Sequence, residues 1–596
     1  MCYPIINLPI TIRSLCTYFV SVSALLLIPA CADLSDIDRR ADDLVRQRTA
    51  ELLGANVRPQ LAGRSITATT ATSALSAPAT IDPAASDLTF IPADAGRNVA
   101  ARLDAYAAPD SNTADSADPS SPPRTTELTL ADALRQSQVT SREYLAAQED
   151  YLLSAIDLLI ERHLWGPRFF ATTSAELTRN ATDGNITAPL ALINELRATQ
   201  RLPSGGELEA RFLWSATEQL RQLATDRYTQ SSELVLSGRI PLLRGAGSIA
   251  REDLIQAERE LVYSARTFER RRRELLVSLT NDFLNLQQQQ RAIANQQRAL
   301  ELLQRLESRT AALVEAGRIA EFQKNIAASD VLRAQARLAN QREQFILALD
   351  RFKVRLGVPV GQRLTIAPTT PALPEPQSEP AAAARLALQY RLDLQTQADR
   401  LADARRGVSN AENGLLPDAS VTGSARFGTA ASAREGGAVY ELDDARYAAG
   451  VRVDWPLDRH NERALVRRAQ IIAERATRDL DALTDTVVLE SRASVREIDR
   501  ARFNLQLQER AVQINLRRAK EQEIKADEVT AQQIVDTANA LRDAENARDQ
   551  AQTDLTTAVL DYLLTTGQLR VTQDGQLELP GPAQPAEPAA PAAPAP

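Results

Sequence analysis

The chain has 596 residues, with 69 basic and 77 acidic side chains, a formal net charge of −8, and aromatic residues at only 4% of its length. That balance excludes a strongly basic nucleic-acid surface. The low aromatic content argues against large globular cores, and the abundance of Ala, Arg, Leu, Glu, Asp and Gln favours long helices.

Residues 1–30 read as an export signal. Arg13 supplies a positive start, and SLCTYFVSVSALLLIPA is an apolar run too short to span a bilayer. Ile28-Pro29-Ala30-Cys31 resembles a bacterial lipobox, in which Cys31 becomes the lipidated first residue of the mature chain. Ala30-Cys31-Ala32 also fits an ordinary A-x-A cleavage site. On the lipobox resemblance, Ala32 after the cysteine implies sorting to the outer membrane. No later run of about 20 apolar residues follows, so any membrane crossing is expected to be made of strands. The three cysteines all lie in the first 31 residues, and the two histidines, His163 and His460, are far apart. A disulfide framework, a CxxC zinc site and histidine-based catalysis are therefore not expected, nor is an enzyme or a cofactor.

Residues 31–126 hold one short charged helix candidate, DIDRRADDLVRQRTAELLG, ended by Gly54. An Ala/Ser/Thr/Pro-rich linker follows, too poor in large apolar groups to fold alone. Residues 127–360 and 381–570 read as two copies of one repeat, joined by a linker at 361–380 and followed by a Pro/Ala-rich tail at 571–596. Each copy predicts helix, strand, strand, long helix, shorter helix.

In the first copy, LTLADALRQSQVTSREYLAAQEDYLLSAIDLLIERHLW leads into a strand with Phe169, Ala171, Ala175 and Leu177 on one face. Thr172, Ser174 and Glu176 lie opposite. INELRATQRLPSGGELEARFLW, residues 193–215, predicts an additional hairpin around PSGG, with Leu208, Ala210, Phe212 and Trp214 alternating. It could join the sheet or stand outside it as a ribbon. A returning strand, with Leu234, Leu236, Gly238 and Ile240 on one side, ends at Pro241.

From Arg244 to Gly317 a helix of about 73 residues, or about 110 Å, is predicted. Leu279, Leu286, Ile293 and Leu300 recur at the seven-residue spacing of a coiled coil. EAGRIAEFQKNIAAS separates it from a shorter helix that starts near Asp330 and ends at Gly357. The second copy repeats the plan, with Ala419, Val421, Gly423, Ala425 and Phe427 on one strand face. Its returning strand ends at Pro456, a long helix starts near Arg463, and a shorter one ends near Gly567. Each pair of shorter helices roughly matches the long one, as antiparallel packing of one rod against two half-rods requires.

Strands with one apolar and one polar face suit a membrane barrel, or a soluble sheet with one face buried. Without the additional hairpin there are four per chain. Four cannot close, since the smallest barrels have about eight strands, and three chains would supply about twelve. Pro241 and Pro456 mark the seams where strand becomes helix. ERRRRE, Glu269 to Glu274, reads as a solvated helix face, RGAG from Arg244 as a bend, and Trp455 as part of an aromatic girdle.

LTLADAL, LLPDASVTGSARF, IPLLRGAG, VDWPLDRHNERA, VEAGRIA…SDVLRAQ and QQIVDTANALRDAENA stand in order along two copies. On these motifs the chain resembles the TolC-type outer-membrane efflux proteins over about three-quarters of its length. The resemblance implies a mainly α fold with a small β-barrel portion, shared across a homotrimer. Coiled-coil helices would form a periplasmic α-barrel, with the strands in outer-membrane lipid. It implies a passive exit duct of a tripartite efflux or type I secretion system, docked by a periplasmic adaptor and an inner-membrane transporter, with no nucleic acid involved.

By the same resemblance, carboxylates just after the long helices constrict the periplasmic aperture. Asp536 and Asp330 take those places, and Asn539 stands where a second carboxylate would be. Read without the resemblance, both aspartates are exposed helix-end acids. Gly317, Arg318, Gln532 and Gln533 are the residues expected to meet the adaptor. The alternative function is a non-conducting periplasmic coiled-coil scaffold or adaptor.

Overall fold

The computed structural model describes residues 34–53, 126–177, 180–182, 185–187, 189–219, 228–368, 376, 379–429, 445–524, 529–572 and 577–578. The export signal, Cys31, nearly all of the N-terminal linker and all but four residues of the Pro/Ala-rich tail lie outside them. An N-terminal helix α1 (Leu34–Leu53) precedes the first repeat. That repeat comprises β1 (Thr126–Leu128), α2 (Leu130–Thr140), α3 (Arg142–Leu164) and β2 (Arg168–Leu177). A small ribbon follows, β3 (Asn180–Thr182) with β4 (Asn185–Thr187). Then come β5 (Pro189–Arg201), β6 (Glu207–Gln219), β7 (Tyr228–Pro241), α4 (Glu252–Glu315), α5 (Glu321–Leu356) and β8 (Leu364–Ile366). The second repeat has α6 (Pro380–Tyr390), α7 (Leu392–Asn413), β9 (Asp418–Gly428), β10 (Arg446–Asp454), α8 (His460–Ile524) and α9 (Ala531–Thr565). β11 (Arg570–Val571) and β12 (Leu577–Glu578) close the described chain.

The long helices are α4, of 64 residues, and α8, of 65 residues. At 1.5 Å per residue each is about 96 Å long. α4 starts later than the sequence suggests, because Gly245 and Gly247 take left-handed φ of 74° and 72° and a single 3₁₀ turn follows. α8 starts earlier, because the Asp458 carboxylate accepts the His460 backbone N–H at 3.0 Å and caps the helix. EFQKNIAAS is not a spacer. It is the first part of α5, as its Ala, Gln, Lys and Glu content favours, and the turn between the rods is confined to Ala316–Ala320.

The first helix of each copy, expected to be continuous, is broken at Ser141 and at Arg391, both extended. Neither residue is a breaker by itself. The glycine that ends the copy's last helix, Gly357 or Gly567, packs against the break at Thr140 or Tyr390. The break is therefore a tertiary feature built twice.

Side by side, α4 packs on α3 and α5 and also on α9, while α8 packs on α7 and α9. The buried heptad leucines Leu279 and Leu286 lie in the core shared by α1 to α5. There Phe268 stacks on Tyr151, with ring centroids 5.8 Å apart, and meets Tyr144 edge-on at 5.7 Å. α1 docks on this core through Ala41, Leu44 and Val45, and the Tyr151 hydroxyl donates to the Val45 carbonyl at 3.3 Å.

ERRRRE departs from the solvated face expected of it. Six consecutive residues wrap more than one helical turn, so some must face inward. Glu269 and Arg272 are buried, and Arg272 donates to the Thr572 carbonyl at 3.1 Å. Arg270 and Arg271 reach Asp393 at 2.8 Å and Asp150 at 2.7 Å.

The strands form one antiparallel sheet of order β10-β9-β7-β6-β5-β2. Among the described residues six strands, not four, therefore belong to this sheet. The hairpin at 193–215 is the turn end of β5 and β6, and these two strands lie between β2 and β7.

Candidate functional site

Two regions carry functional geometry: the sheet and the tip where α4 turns into α5. In the sheet, directly opposed residues share a face, so register decides what that face is made of. Phe169 opposes Ala198, and Ala171 opposes Leu196. Leu196 opposes Phe212, which opposes Leu234, which in turn opposes Phe427. Ile240 opposes Val421, which opposes Val451. One apolar face therefore runs unbroken over all six strands. Its outer members are strongly exposed, Phe169 at 71% and Val451 at 70%.

The other face carries Thr172, Glu195, Arg197, Glu209, Arg211, Arg239, Asp418 and Arg426, laced by pairs such as Arg239–Asp418 at 3.0 Å. Trp455, just past β10, is 64% exposed and lies under the Arg459 guanidinium at 5.5 Å. No helix among the described residues is long and apolar enough to cross a membrane.

The seam at Pro241 is fastened from three directions. The Leu242 N–H donates to the Ala419 carbonyl at 2.7 Å, and the Gly245 N–H to the Asn413 side-chain oxygen at 2.8 Å. The Gly247 N–H reaches the Ser204 carbonyl, in the β5–β6 turn, at 3.1 Å. The seam at Pro456 is tied more locally, its carbonyl accepting from Arg459 at 3.2 Å.

At the tip, Leu303 and Leu306 of α4, Val331 and Ala334 of α5, and Ala531 and Val535 of α9 form one small core. Gly317 is exposed with φ of 68° and open space around it, and Arg318 is exposed beside it. Gln533 is held in a capping box with Thr530, and the Gln532 amide donates to Asp536 at 2.9 Å.

Asp536 and Asp330 occupy different settings. Asp536 is exposed, whereas Asp330 is buried and paired with Arg333 at 3.2 Å. The Asn539 side-chain oxygen accepts from Arg542 at 3.0 Å and from Arg337, across on α5, at 3.5 Å. Arg542 also reaches Gln296 of α4 at 3.3 Å. Burial and the neighbouring Arg542 hold the Arg337 guanidinium below its usual range. Arg337, Arg542 and Gln296 were not singled out by sequence. Their link is a meeting of three helices, and only the i,i+3 spacing of Asn539 and Arg542 could have hinted at it.

No family model and no curated protein matches the sequence. Solved structures do match by fold. The chain is similar to the outer-membrane channel OprN, at 17% identity and a TM-score of 0.56, over 74% of this chain and 89% of that one. It is similar to the CmeC outer membrane channel of Campylobacter jejuni, at 14% identity and a TM-score of 0.52, over 74% and 85%. It is also similar to the MtrE outer membrane channel of Neisseria gonorrhoeae in its open state, at 13% identity and a TM-score of 0.52, over 74% and 88%. Two repeats, two long rods and an amphipathic sheet that leads into both rods give this chain the fold of the TolC-type outer-membrane channels.

Proposed function

We propose that three copies of this chain close into an outer-membrane channel with a helical tunnel below it. The channel is the passive exit duct of a tripartite efflux or type I secretion system. A periplasmic adaptor and an inner-membrane transporter engage its tip around Gly317, Arg318, Gln532 and Gln533. The number three follows the resemblance of the motifs.

The observation that carries this reading is a pair of unfilled edges on one chain. The sheet ends at β2 and β10, which pair with no further strand among the described residues. Open edges and an exposed apolar face are tolerated in lipid only when copies join into a barrel. In a six-stranded antiparallel sheet the outer strands run oppositely, so β10 of one copy meets β2 of the next in antiparallel fashion. The helical wall is unfilled at the corresponding edges. On α8, Leu465, Ile472, Leu507 and Ile514 fall at multiples of seven and are all exposed. On α3 and α5, Leu153, Ile160, Ile346 and Leu347 are exposed. A non-conducting scaffold has no use for the apolar sheet face.

Within the channel, Asp536 forms a ring of three carboxylates at the tip, which concentrates cations. Separation of α5 from α9 at the Arg337–Asn539–Arg542 contact is the opening movement. Cys31, on the lipobox pattern, carries the acyl anchor to the outer membrane.

Native mass spectrometry of the detergent-purified protein tests the assembly. Three copies are expected, and Leu507→Glu with Ile514→Glu is expected to shift the population to single chains. A wild-type protein that stays single would remove the reading. Loss of acyl labelling in Cys31→Ser is the expected result for the anchor, and unchanged labelling would remove that part.

A further inference from the structure

We infer that the β5–β6 hairpin is a structural part of the barrel wall, and that it makes the outer-membrane exit about as wide as the helical tunnel below. This rests on the three-copy channel proposed above. Three sheets of six strands give eighteen strands, where four strands per chain, without the hairpin, would give about twelve.

Three observations carry the inference. First, the hairpin is paired along its length, with ten residue pairs to β2, thirteen within the hairpin and twelve to β7. An external ribbon would leave β2 and β7 to pair with each other, and here the hairpin separates them. Second, both faces of the wall continue through it. Leu196 and Phe212 extend the apolar face, and Glu195, Arg197, Glu209 and Arg211 extend the polar one.

Third, its turn is locked to the seam. Gly205 has φ of 93°, and a Cβ there would lie 2.4 Å from the Gly245 carbonyl oxygen. A Cβ on Gly206 would lie 2.8 Å from the Arg239 carbonyl oxygen. Only glycine allows this approach, and it holds the base of the hairpin level with the strand-to-helix exit.

The widths then agree. Strands about 4.8 Å apart and tilted about 40° give a circumference of about 75 Å for twelve and about 113 Å for eighteen. Each chain places four helices abreast in the wall: α4, α8, α3 with α5, and α7 with α9. Twelve helices at 8–10 Å spacing give a circumference of roughly 96–120 Å. The eighteen-strand barrel continues the tunnel at its own width, about 36 Å across the backbone against about 24 Å for twelve strands. The barrel then imposes no size limit of its own, and bulky solutes or unfolded polypeptide are selected by size only at the tip.

Paired cysteines test the placement, and they are clean because the chain has none beyond Cys31. Thr172→Cys with Glu195→Cys spans β2–β5, and Glu209→Cys with Ser237→Cys spans β6–β7, both on the polar face. With the assembled protein in lipid vesicles, a short thiol cross-linker is expected to join both pairs within one chain. Failure of either pair in assembled protein would overturn the inference. This readout needs no current, so an assembly that cross-links but does not conduct would count against the channel and not against the wall. In planar bilayers, polyethylene glycols added from the extracellular side are expected to enter the wild-type barrel at larger sizes than in a variant lacking residues 189–227. An equal size cutoff in the two would also overturn it.

Discussion

Gly357 lies so close to Thr140 that a Cβ on the glycine would sit 2.1 Å from the threonine carbonyl oxygen. The Thr140 hydroxyl in turn donates to the Leu356 carbonyl. The second repeat has the same joint, where a Cβ on Gly567 would sit 2.9 Å from the Tyr390 carbonyl oxygen. Each joint sets the end of a helix that comes up from the tip, α5 or α9, against the start of one that runs on to the sheet, α3 or α7. Gly357→Ala is expected to cost about 3 kcal/mol, from left-handed strain plus displacement of the joint. Gly317→Ala has the same strain in open space and is expected to cost only about 1 kcal/mol. Chemical denaturation of the two variants checks the contrast, and equal losses would contradict a close-packed joint.

Near the second joint, Arg391 donates to Asp393 at 2.7 Å, and Arg270 of α4 reaches the same carboxylate at 2.8 Å. Burial works against ionisation of Asp393, but Arg391 and Arg270 outweigh it and hold the carboxyl below its ordinary 3.8. A depressed folded-state pKa stabilises the fold above the unfolded value, and that contribution is lost as pH falls through the folded one. Asp393→Asn is therefore expected to melt lower than wild type at neutral pH, with the gap closing below pH 3.8. Thermal melts across that range check it, and a gap that widens in acid would contradict it.

Asn539 takes hydrogen bonds from two guanidinium groups with no charge to offer them. A carboxylate in its place turns both, already assisted by the guanidinium charge, into ion-paired bonds, each stronger by about 1 kcal/mol. Asn539→Asp is expected to raise the melting temperature and to lower the open fraction of the channel. Arg337→Ala is expected to do the reverse to the open fraction. Single-channel recording measures both, and matching changes in the two variants would remove the contact from the gate.

Asp330 and Asp536 are expected to separate by readout. Asp330 is buried beside Arg333, so Asp330→Ala is expected to lower stability by roughly 1–2 kcal/mol with little change in ion selectivity. Asp536 is exposed, so Asp536→Asn is expected to leave stability within about 0.5 kcal/mol and to reduce cation preference. Reversal potentials and melting curves on the same preparations decide between them.

Much of this architecture was legible in sequence, because alternation and seven-residue spacing are local signals. Phe169 to Leu177 and Leu279 to Leu286 announced their elements directly. The alternation of Leu208, Ala210, Phe212 and Trp214 also gave a strand, but pairing is a property of two strands, so its place between β2 and β7 stayed hidden. The breaks at Ser141 and Arg391 were invisible for a related reason: a distant glycine imposes them. Glu269 and Arg272 looked solvated because a charge run carries no sign of which members neutralise one another indoors. At the tip, Asp330 and Asp536 looked alike along the chain and differ only in what packs over them.

On the proposed assembly, copies of the chain enclose a continuous water-filled passage. Single-channel recording of the purified assembly in planar lipid bilayers tests it most directly. Discrete conductance steps are expected, open for a larger fraction of the time in Arg337→Ala and less cation-preferring in Asp536→Asn. An intact three-copy assembly that inserts into the bilayer and passes no current, in wild type and in both variants, would contradict it.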